Sequence, residues 1–411
     1  MSFSTALSGL NAAANNLAVT GNNIANANTT GFKKSRSEFA DMYASAMAGI
    51  SKTQPGMGVK IAEVAQQFNQ GNLESTENSL DMAISGEGFF TLRKDPADTA
   101  SATVYSRAGA FKVNKDGVVV NSAGQALLAY VPIGGGLFGG VPDKVYLGTG
   151  VSPPVATTQV DLRVNLNSDS VVPATTTFVP SDPTSYNNQT SATIYDSLGA
   201  SHQLTTYFRA TSTPGTWDAF HYIDGNSAPV SANPSTALTF DTDGNLTSGG
   251  AIALDAYTLP GSSAAPLAAT LDYTGSTQLA ADFGVDALQQ DGLAAGQLTG
   301  ISIDSSGVIS AKYSNDAMTP LGQVALTRFI NPQGLIKLGD TNWAQSISSG
   351  LPVTGVAGTG SFGGIQSMAL EQSNVDLSAQ LTNLIIAQQA YQANAQTIST
   401  ENTIMQTLLN I

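Results

Sequence analysis

Residues 377–411 read LSAQLTNLIIAQQAYQANAQTISTENTIMQTLLNI, and this run sets the architecture of the chain. Its apolar positions recur at alternating spacings of 4 and 3, the repeat of a helix that buries one seam. Neither Gly nor Pro interrupts the run, and at about 1.5 Å per residue the predicted helix is about 50 Å long. A helix of that length favours a rod or a bundle over a compact globular domain.

The first residues of the chain carry the same period, from Phe3 to Ile24, and no charged residue occurs before Lys33. Positions beside both seams hold Ala, Ser, Thr, Asn and Gln, where surface coiled coils carry Glu and Lys. Such small, uncharged faces predict helices that pack against copies of themselves; an ordinary two-helix stalk is the alternative. The residues predicted to self-associate are Phe3, Leu7, Leu10, Leu17, Ile24, Leu377, Leu381, Leu384, Tyr391, Ile398, Met405 and Leu409.

The residues between the helical ends are predicted to form β structure. Val160–Asn167 alternates apolar and polar side chains without a break, as a half-buried strand does. Turn sequences at Asn114–Gly117, Asn121–Gly124 and Asp304–Gly307 separate short apolar runs, which is typical of hairpins. The predicted fold class is mainly β with terminal α-helices: a coiled-coil-like stalk from the N- and C-termini that carries two outer antiparallel β domains.

Changes in composition along the chain predict where the domains begin and end. The expected parts are a terminal helical inner domain (1–32 and 365–411), connecting segments (33–70 and 340–364), an inner β domain (71–160 and 286–339) and an outer β domain (161–285).

Composition excludes several functional classes. The chain has 411 residues with 16 Lys or Arg against 30 Asp or Glu, a net charge of −14, so it lacks the basic surface that binds nucleic acid. It has no Cys for disulfides or thiol catalysis and only two His. No uncharged apolar run reaches the roughly 18–20 residues that span a bilayer. We therefore predict no cofactor, no metal, no catalysis, no nucleic-acid partner and no membrane insertion.

Asp241–Asn245 resembles the start of a calcium loop. An EF-hand requires Gly at the sixth position and Glu at the twelfth, but those positions hold Leu246 and Ile252. We predict a β-turn there instead. A secreted β-rich enzyme stays open as an alternative function, because sequence does not locate a carboxylate pair in space. A membrane-active amphipathic helix would need Lys or Arg on its faces, and these are missing.

Several blocks of the chain resemble the axial proteins of the bacterial flagellum, a family of rod and hook subunits. Blocks shared by all its branches are Ser8–Leu17, Asn22–Lys33, Gly71–Leu73, Leu80–Ile84, Gly86–Phe90, Tyr105–Phe111, Glu371–Leu377 and Ala387–Asn394. Blocks similar to the outer part of the hook branch are Thr193–Gly199, His202, Leu204–Phe208, Tyr313–Asn315, Leu321–Gln323 and Phe329–Leu335. The distal rod, or another axial subunit, is the alternative within the family.

The resemblance implies a structural subunit that polymerises into the curved hook, the flexible joint that passes torque from the motor to the filament. The implied partners are the chain itself, the rod, hook-cap and hook–filament junction proteins, and the flagellar export apparatus. The implied location is the extracellular flagellum (hook and basal body). Export without a cleaved signal peptide is expected, because residues 1–30 have no basic start and no continuous apolar core.

Overall fold

The computed structural model describes residues 3–42, 56–98, 101–134, 136–148, 150–175, 177–227 and 235–409. The chain divides into two compact units. The terminal unit comprises Met1–Gly148, Gly300–Ala311 and Thr319–Ile411, and the middle unit comprises Thr149–Thr299 and Lys312–Met318. Each unit has its own hydrophobic core.

The two terminal helices predicted from the sequence are confirmed. Helix α1 spans Phe3–Ala25, and helix α2 spans Leu377–Leu409. Asp376 caps α2, because its Oδ1 accepts a hydrogen bond from the Ala379 N–H at 3.1 Å. Across the described part of the chain, no helix combines the length and the apolar character that crossing a membrane requires.

The strands that follow α1 belong to the terminal unit. They are β1 (Ser35–Asp41), β2 (Val59–Gln66), β3 (Leu73–Ser75), β4 (Met82–Ser85), β5 (Phe89–Arg93), β6 (Thr103–Ser106), β7 (Phe111–Val113), β8 (Val119–Asn121), β9 (Ala126–Gly134) and β10 (Leu137–Lys144). Strands β1 and β2 pair with each other in a separate antiparallel ribbon.

The next strands build two sheets of the middle unit. They are β11 (Gln159–Asn167), β12 (Asn188–Tyr195), β13 (Ser201–Ala210), β14 (Thr216–Ile223), β15 (Asn226–Ser227), β16 (Thr236–Phe240), β17 (Leu246–Ser248), β18 (Ala251–Ala253), β19 (Thr270–Asp272), β20 (Thr277–Leu279) and β21 (Gly284–Gln290). One sheet has the order β12-β13-β14-β16-β17, and the other has the order β18-β19-β11-β20 with β21 also on β11. Their inner faces share one core around Phe208, Trp217 and Tyr273.

The prediction of a purely antiparallel outer domain is wrong in one respect. Strand β11 pairs in parallel with β19 and with β20, and antiparallel only with β21. The alternation of Val160–Asn167 is confirmed as a strand with one buried face. Alternation reports which face is buried, and it contains no information about the direction of the neighbouring strand.

The final strands return to the first ones. They are β22 (Leu298–Ile303), β23 (Val308–Tyr313), β24 (Met318–Arg328), β25 (Ile336–Gly339), β26 (Asn342–Ala344), β27 (Val353–Val356), β28 (Gly364–Ser367) and β29 (Ala369–Glu371). The main sheet runs β22-β23-β24-β9-β5-β6-β26-β25. Strand β28 pairs with β4, and β29 pairs with β3, so the segment before α2 lies beside the segment after α1.

One sequence pattern recurs in the described turns, an Asn or Asp followed three residues later by Gly with positive φ. In four of them the first side chain accepts hydrogen bonds from the second and fourth following N–H groups. Examples of the pattern are Asn114–Gly117, Asn121–Gly124, Asp196–Gly199, Asp241–Gly244 and Asp304–Gly307. The predicted β-turn at Asp241 is therefore confirmed, with its carboxylate bonded to its own backbone.

Both histidines lie in the middle unit, in opposite environments. His202 lies between Asp224, with Nδ1 2.5 Å from Oδ2, and Asp196, with Nε2 3.5 Å from Oδ2. Burial alone would lower the pKa of His202, but its hydrogen bonds to both carboxylates outweigh burial and raise it. His221 is buried in the core and hydrogen-bonds Thr206, and burial lowers its pKa to about 4.

We expect the thermal stability of the middle unit to be highest near pH 6.5, the unfolded pKa of histidine being about 6.5. The contribution of His202 is fully present below that value and is lost as the pH rises through its raised folded pKa. The contribution of His221 is lost as the pH falls from about 6.5 towards 4, because the unfolded chain is protonated first. Trp217 fluorescence during thermal unfolding reports this unit in a Trp343→Phe background, where it is the one remaining tryptophan. His202→Gln should remove only the loss of thermal stability at alkaline pH. If this loss persists in the variant, its assignment to His202 is wrong.

Candidate assembly surfaces

Helices α1 and α2 pack against each other in antiparallel directions. Asn23 donates through Nδ2 to Gln380 Oε1 at 3.2 Å. At the other end of the contact, a Cβ at Gly9 would lie 2.6 Å from Asn394 Oδ1. Gly9 and Asn23 are 14 residues apart on α1, and their partners Asn394 and Gln380 are 14 residues apart on α2 in the opposite direction. This length equals two heptads of a coiled coil.

Small and polar residues form this contact within one chain. The buried residues are Ala6, Ala12, Ala13, Thr20 and Asn23 on α1 and Gln380 and Ala387 on α2. Ala6, Ala13 and Thr20 repeat at seven residues, as do Gln380 and Ala387. They lie beside the apolar seam read from the sequence, on a neighbouring face of each helix. The apolar seam is therefore not the main contact between the two helices of one chain.

The structure leaves much of the predicted self-association set accessible. Phe3, Leu7, Leu377, Leu381, Tyr391 and Met405 are exposed, with exposed fractions from 38% to 60%. The half-buried members are Leu10, Leu17, Ile24, Leu384 and Ile398. Leu409 ends α2, and its side chain lies outside the described residues. The predicted role of these residues in self-association stays a prediction.

Sequence reasoning missed further exposed apolar residues. Ile385, Ile386 and Ile404 lie on α2 outside the predicted seam, and Phe39 and Ile61 face each other across the β1–β2 ribbon. The signal for the first two was the uninterrupted run Leu384–Ile386, which is too wide for a single seam. Exposed apolar residues therefore lie on both helices and on the ribbon.

A buried ionic cluster ties the two ends of the chain to the main sheet. Lys33 Nζ lies 2.5 Å from Glu371 Oε1, and Arg107 Nη1 lies 3.2 Å from Glu371 Oε2. The side chains of Lys33 and Glu371 have no exposed surface, and that of Arg107 is 6% exposed. One carboxylate at the end of β29 therefore holds the segment after α1 and the segment after β6.

Backbone groups complete the cluster. Glu371 Oε1 also accepts from the Gly71 N–H at 2.8 Å. Lys33 Nζ donates to the Asn69 carbonyl at 2.9 Å, and Arg107 Nη2 donates to the Gly86 carbonyl at 2.8 Å. Burial lowers the pKa of Lys33 although Glu371 opposes the change, and burial lowers the pKa of Arg107 in the same way.

The cluster was not predicted, although Lys33 belongs to a block that carries the resemblance. The available signal was that Lys33 is the first charge after 32 uncharged residues. Its location beside α1 and α2 suggests that the cluster fixes where both helices leave the sheet.

Four family models match successive parts of the chain. They are "Flagella basal body rod protein" at residues 3–33, "Flagellar hook protein FlgE/F/G D1 domain" at residues 83–163, "Flagellar basal body protein FlaE D2 domain" at residues 165–293 and "Flagellar basal body rod FlgEFG protein C-terminal" at residues 366–411. The first and last matches contain α1 and α2, and the third lies within the middle unit. These models together describe the rod and hook class of flagellar proteins.

Two curated relatives that match the whole chain are hook proteins rather than rod proteins. The flagellar hook protein FlgE of Salmonella typhimurium is 39% identical over 424 residues, with 100% of both chains covered. The flagellar hook protein FlgE of Escherichia coli is 39% identical over 422 residues, again with full coverage of both. The crystal structure of the Helicobacter pylori flagellar hook protein FlgE2 matches in fold, with a TM-score of 0.55 and 17% identity, covering 73% of this chain and 100% of that chain. The chain belongs to the flagellar hook protein FlgE family.

Proposed function

We propose that the chain polymerises through α1 and α2 into the curved flagellar hook, the flexible joint that transmits torque from motor to filament. The observation that carries the proposal is that the helices use one face for contact within the chain and leave another face exposed. Small residues join α1 to α2 within one chain, while apolar residues such as Leu381 and Met405 stay exposed. An exposed apolar face of this kind is typical of a surface that binds a second protein surface.

The chemistry of the helices supports a position on the inside of a tube. Helix α1 has no charged residue, and α2 has only Glu401. A channel surface with so few fixed charges holds passing polypeptide weakly, which suits the export of unfolded subunits through the growing structure. The β strands then lie outside the helices, and the residues outside α1 and α2 carry −13 of the −14 net charge of the chain.

The proposal includes partners and a location. The hook contacts the rod at one end and the hook-cap or hook–filament junction proteins at the other, and its subunits pass through the flagellar export apparatus. The chain acts outside the cell envelope, as part of the flagellum, without a cleaved signal peptide and without catalysis. Membership of the hook protein family supports these statements, as do the exposed apolar residues and the near absence of charge on α1 and α2.

Electron microscopy of the purified full chain tests the function. At high concentration the chain should form tubes that are visibly curved. Straight tubes would indicate a rod subunit instead, and a chain that stays monomeric in every condition would contradict the proposal. Glycan hydrolysis by the same preparation, absent from a heat-denatured control, would favour the enzyme alternative.

A further inference from the structure

A cleft with cationic and aromatic walls lies in the terminal unit. Its volume is about 380 Å³, and none of the residues that line it belongs to α1 or α2. Phe68, Phe89 and Phe329 form the walls, with the rings of Phe68 and Phe89 5.6 Å apart. Arg107 and Arg328 both line the cleft. A cleft of this kind combines apolar contact with two guanidinium groups.

The charged residues that line the cleft are two cations, Arg107 and Arg328, and one carboxylate, Glu87. Arg107 shares Glu371 with Lys33, and the other cation, Arg328, has Nη1 3.5 Å from Glu87 Oε2. These five side chains therefore include three cations and two carboxylates. Arg107 Nε is buried and has no hydrogen-bond partner among the described residues. The carboxylate of Glu87 is a weak partner, because its side chain is 71% exposed to water.

The rim of the cleft adds an apolar anchor. Ile330 and Pro332 line the cleft, and Ile330 is 83% exposed. Hydrogen bonds hold this rim in place: Asn331 donates through Nδ2 to the Ser348 carbonyl at 3.0 Å, and Gln333 donates through Nε2 to the Gln66 carbonyl at 2.6 Å. An exposed isoleucine on a fixed loop is suited to contact a residue beside an incoming carboxylate.

We propose that this cleft binds a carboxylate side chain of a second copy of the chain during assembly. The inference rests on the proposed polymerisation and gives it a second contact, separate from the helices. Charge complementarity identifies the occupant. Each copy has 30 acidic against 16 basic residues, and the middle unit alone has 14 Asp against three basic residues. A neighbouring copy therefore presents many carboxylates, and a charge-assisted hydrogen bond to a guanidinium in an apolar cleft is strong.

Charge reversal at the accessible cation of the cleft tests the inference. Arg328→Glu should raise the concentration needed for tube formation about tenfold or more, since a carboxylate at this position repels the incoming carboxylate instead of pairing with it. Glu87→Gln removes the carboxylate of the same chain that competes for Arg328, so it should lower the concentration needed for tube formation at least twofold. Lys115→Glu makes the same change of charge at an exposed turn and should leave it nearly unchanged. Unfolding curves of the monomers show that each variant is folded, and Arg328→Gln, expected to act in the same direction, replaces Arg328→Glu if the latter fails this control.

A cross-link identifies the occupant directly. With a photoreactive benzoylphenylalanine in place of Ile330, tubes of the full chain should give a cross-link between copies at a segment that contains Asp or Glu, and monomers should give none. Tubes without such a link, or equal effects of Arg328→Glu and Lys115→Glu, would overturn the proposed binding of a carboxylate in the cleft. The proposed function would remain. A parent chain that forms no tubes would overturn both.

Discussion

Glu371→Gln should lower the free energy of unfolding of the terminal unit by about 3–5 kcal/mol, the effect of removing one partner from a buried ion pair. The substitution keeps the shape of the side chain but leaves the two cations, Lys33 and Arg107, buried without their shared carboxylate. It also weakens the acceptor for the Gly71 N–H. Because the cluster joins both ends of the chain to the sheet, the attachment of α1 and α2 should loosen together.

Urea unfolding followed by Trp343 fluorescence measures this effect, with Trp217→Phe as the common background so that one tryptophan reports the terminal unit. The matched control is Glu74→Gln. Glu74 lies on β3, the strand that pairs with β29, but it is exposed and bonds only Gln372 among the contacts described. The control should cost less than about 0.5 kcal/mol. An equally small effect of Glu371→Gln would show that the buried cluster does not stabilise the fold.

Leu381→Asp and Met405→Asp should abolish tube formation while leaving the monomer folded. Both residues are exposed by half or more in one chain, so a carboxylate there stays in water and costs the monomer little. If these positions become buried between subunits, each carboxylate loses its hydration at a cost of several kcal/mol. Sedimentation of the full-length variants over a range of concentrations measures the effect.

Gln396→Glu is the control for added charge, because Gln396 is an exposed polar residue on the same helix outside the predicted seam. It should assemble at a concentration much closer to that of the parent, and Leu381→Met should assemble normally. Assembly of the Asp variants at the parental concentration would show that the apolar seam of α2 stays exposed in the polymer. The self-association role assigned to it would then be wrong.

The helices and turns were the parts of the fold most accessible from sequence, because their causes are local. Apolar residues at alternating spacings of 4 and 3 predicted both helices. The turns at Asp241 and Asp304 were predictable because in each the Asp side chain accepts hydrogen bonds from the backbone of its own turn. The contact between α1 and α2 was less accessible. The heptad pattern marks the apolar face, whereas Ala13 and Ala387, the residues buried inside the chain, resemble ordinary flank positions.

Interactions between distant residues were not accessible at all. Lys33 and Glu371 are 338 positions apart, and long-range contacts bring them together, among them the pairing of β29 with β3 and the hydrogen bond from the Gly31 N–H to the Glu371 carbonyl. The parallel partners of β11 and the cleft beside Arg107 depend on the same kind of long-range pairing. A single sequence records which residues prefer burial, but it does not record which partner covers them.

Methionine oxidation is the most direct test of the claim that the terminal helices form the interior of the polymer. Met405 on α2 and Met318 in the middle unit are each 60% exposed in one chain, so peroxide should oxidise both at similar rates in the monomer. After tube formation, peptide mass spectrometry should show that oxidation of Met405 has slowed at least tenfold, while that of Met318 has changed little. Equal rates before and after assembly at Met405, or protection of Met318 alone, would contradict the account.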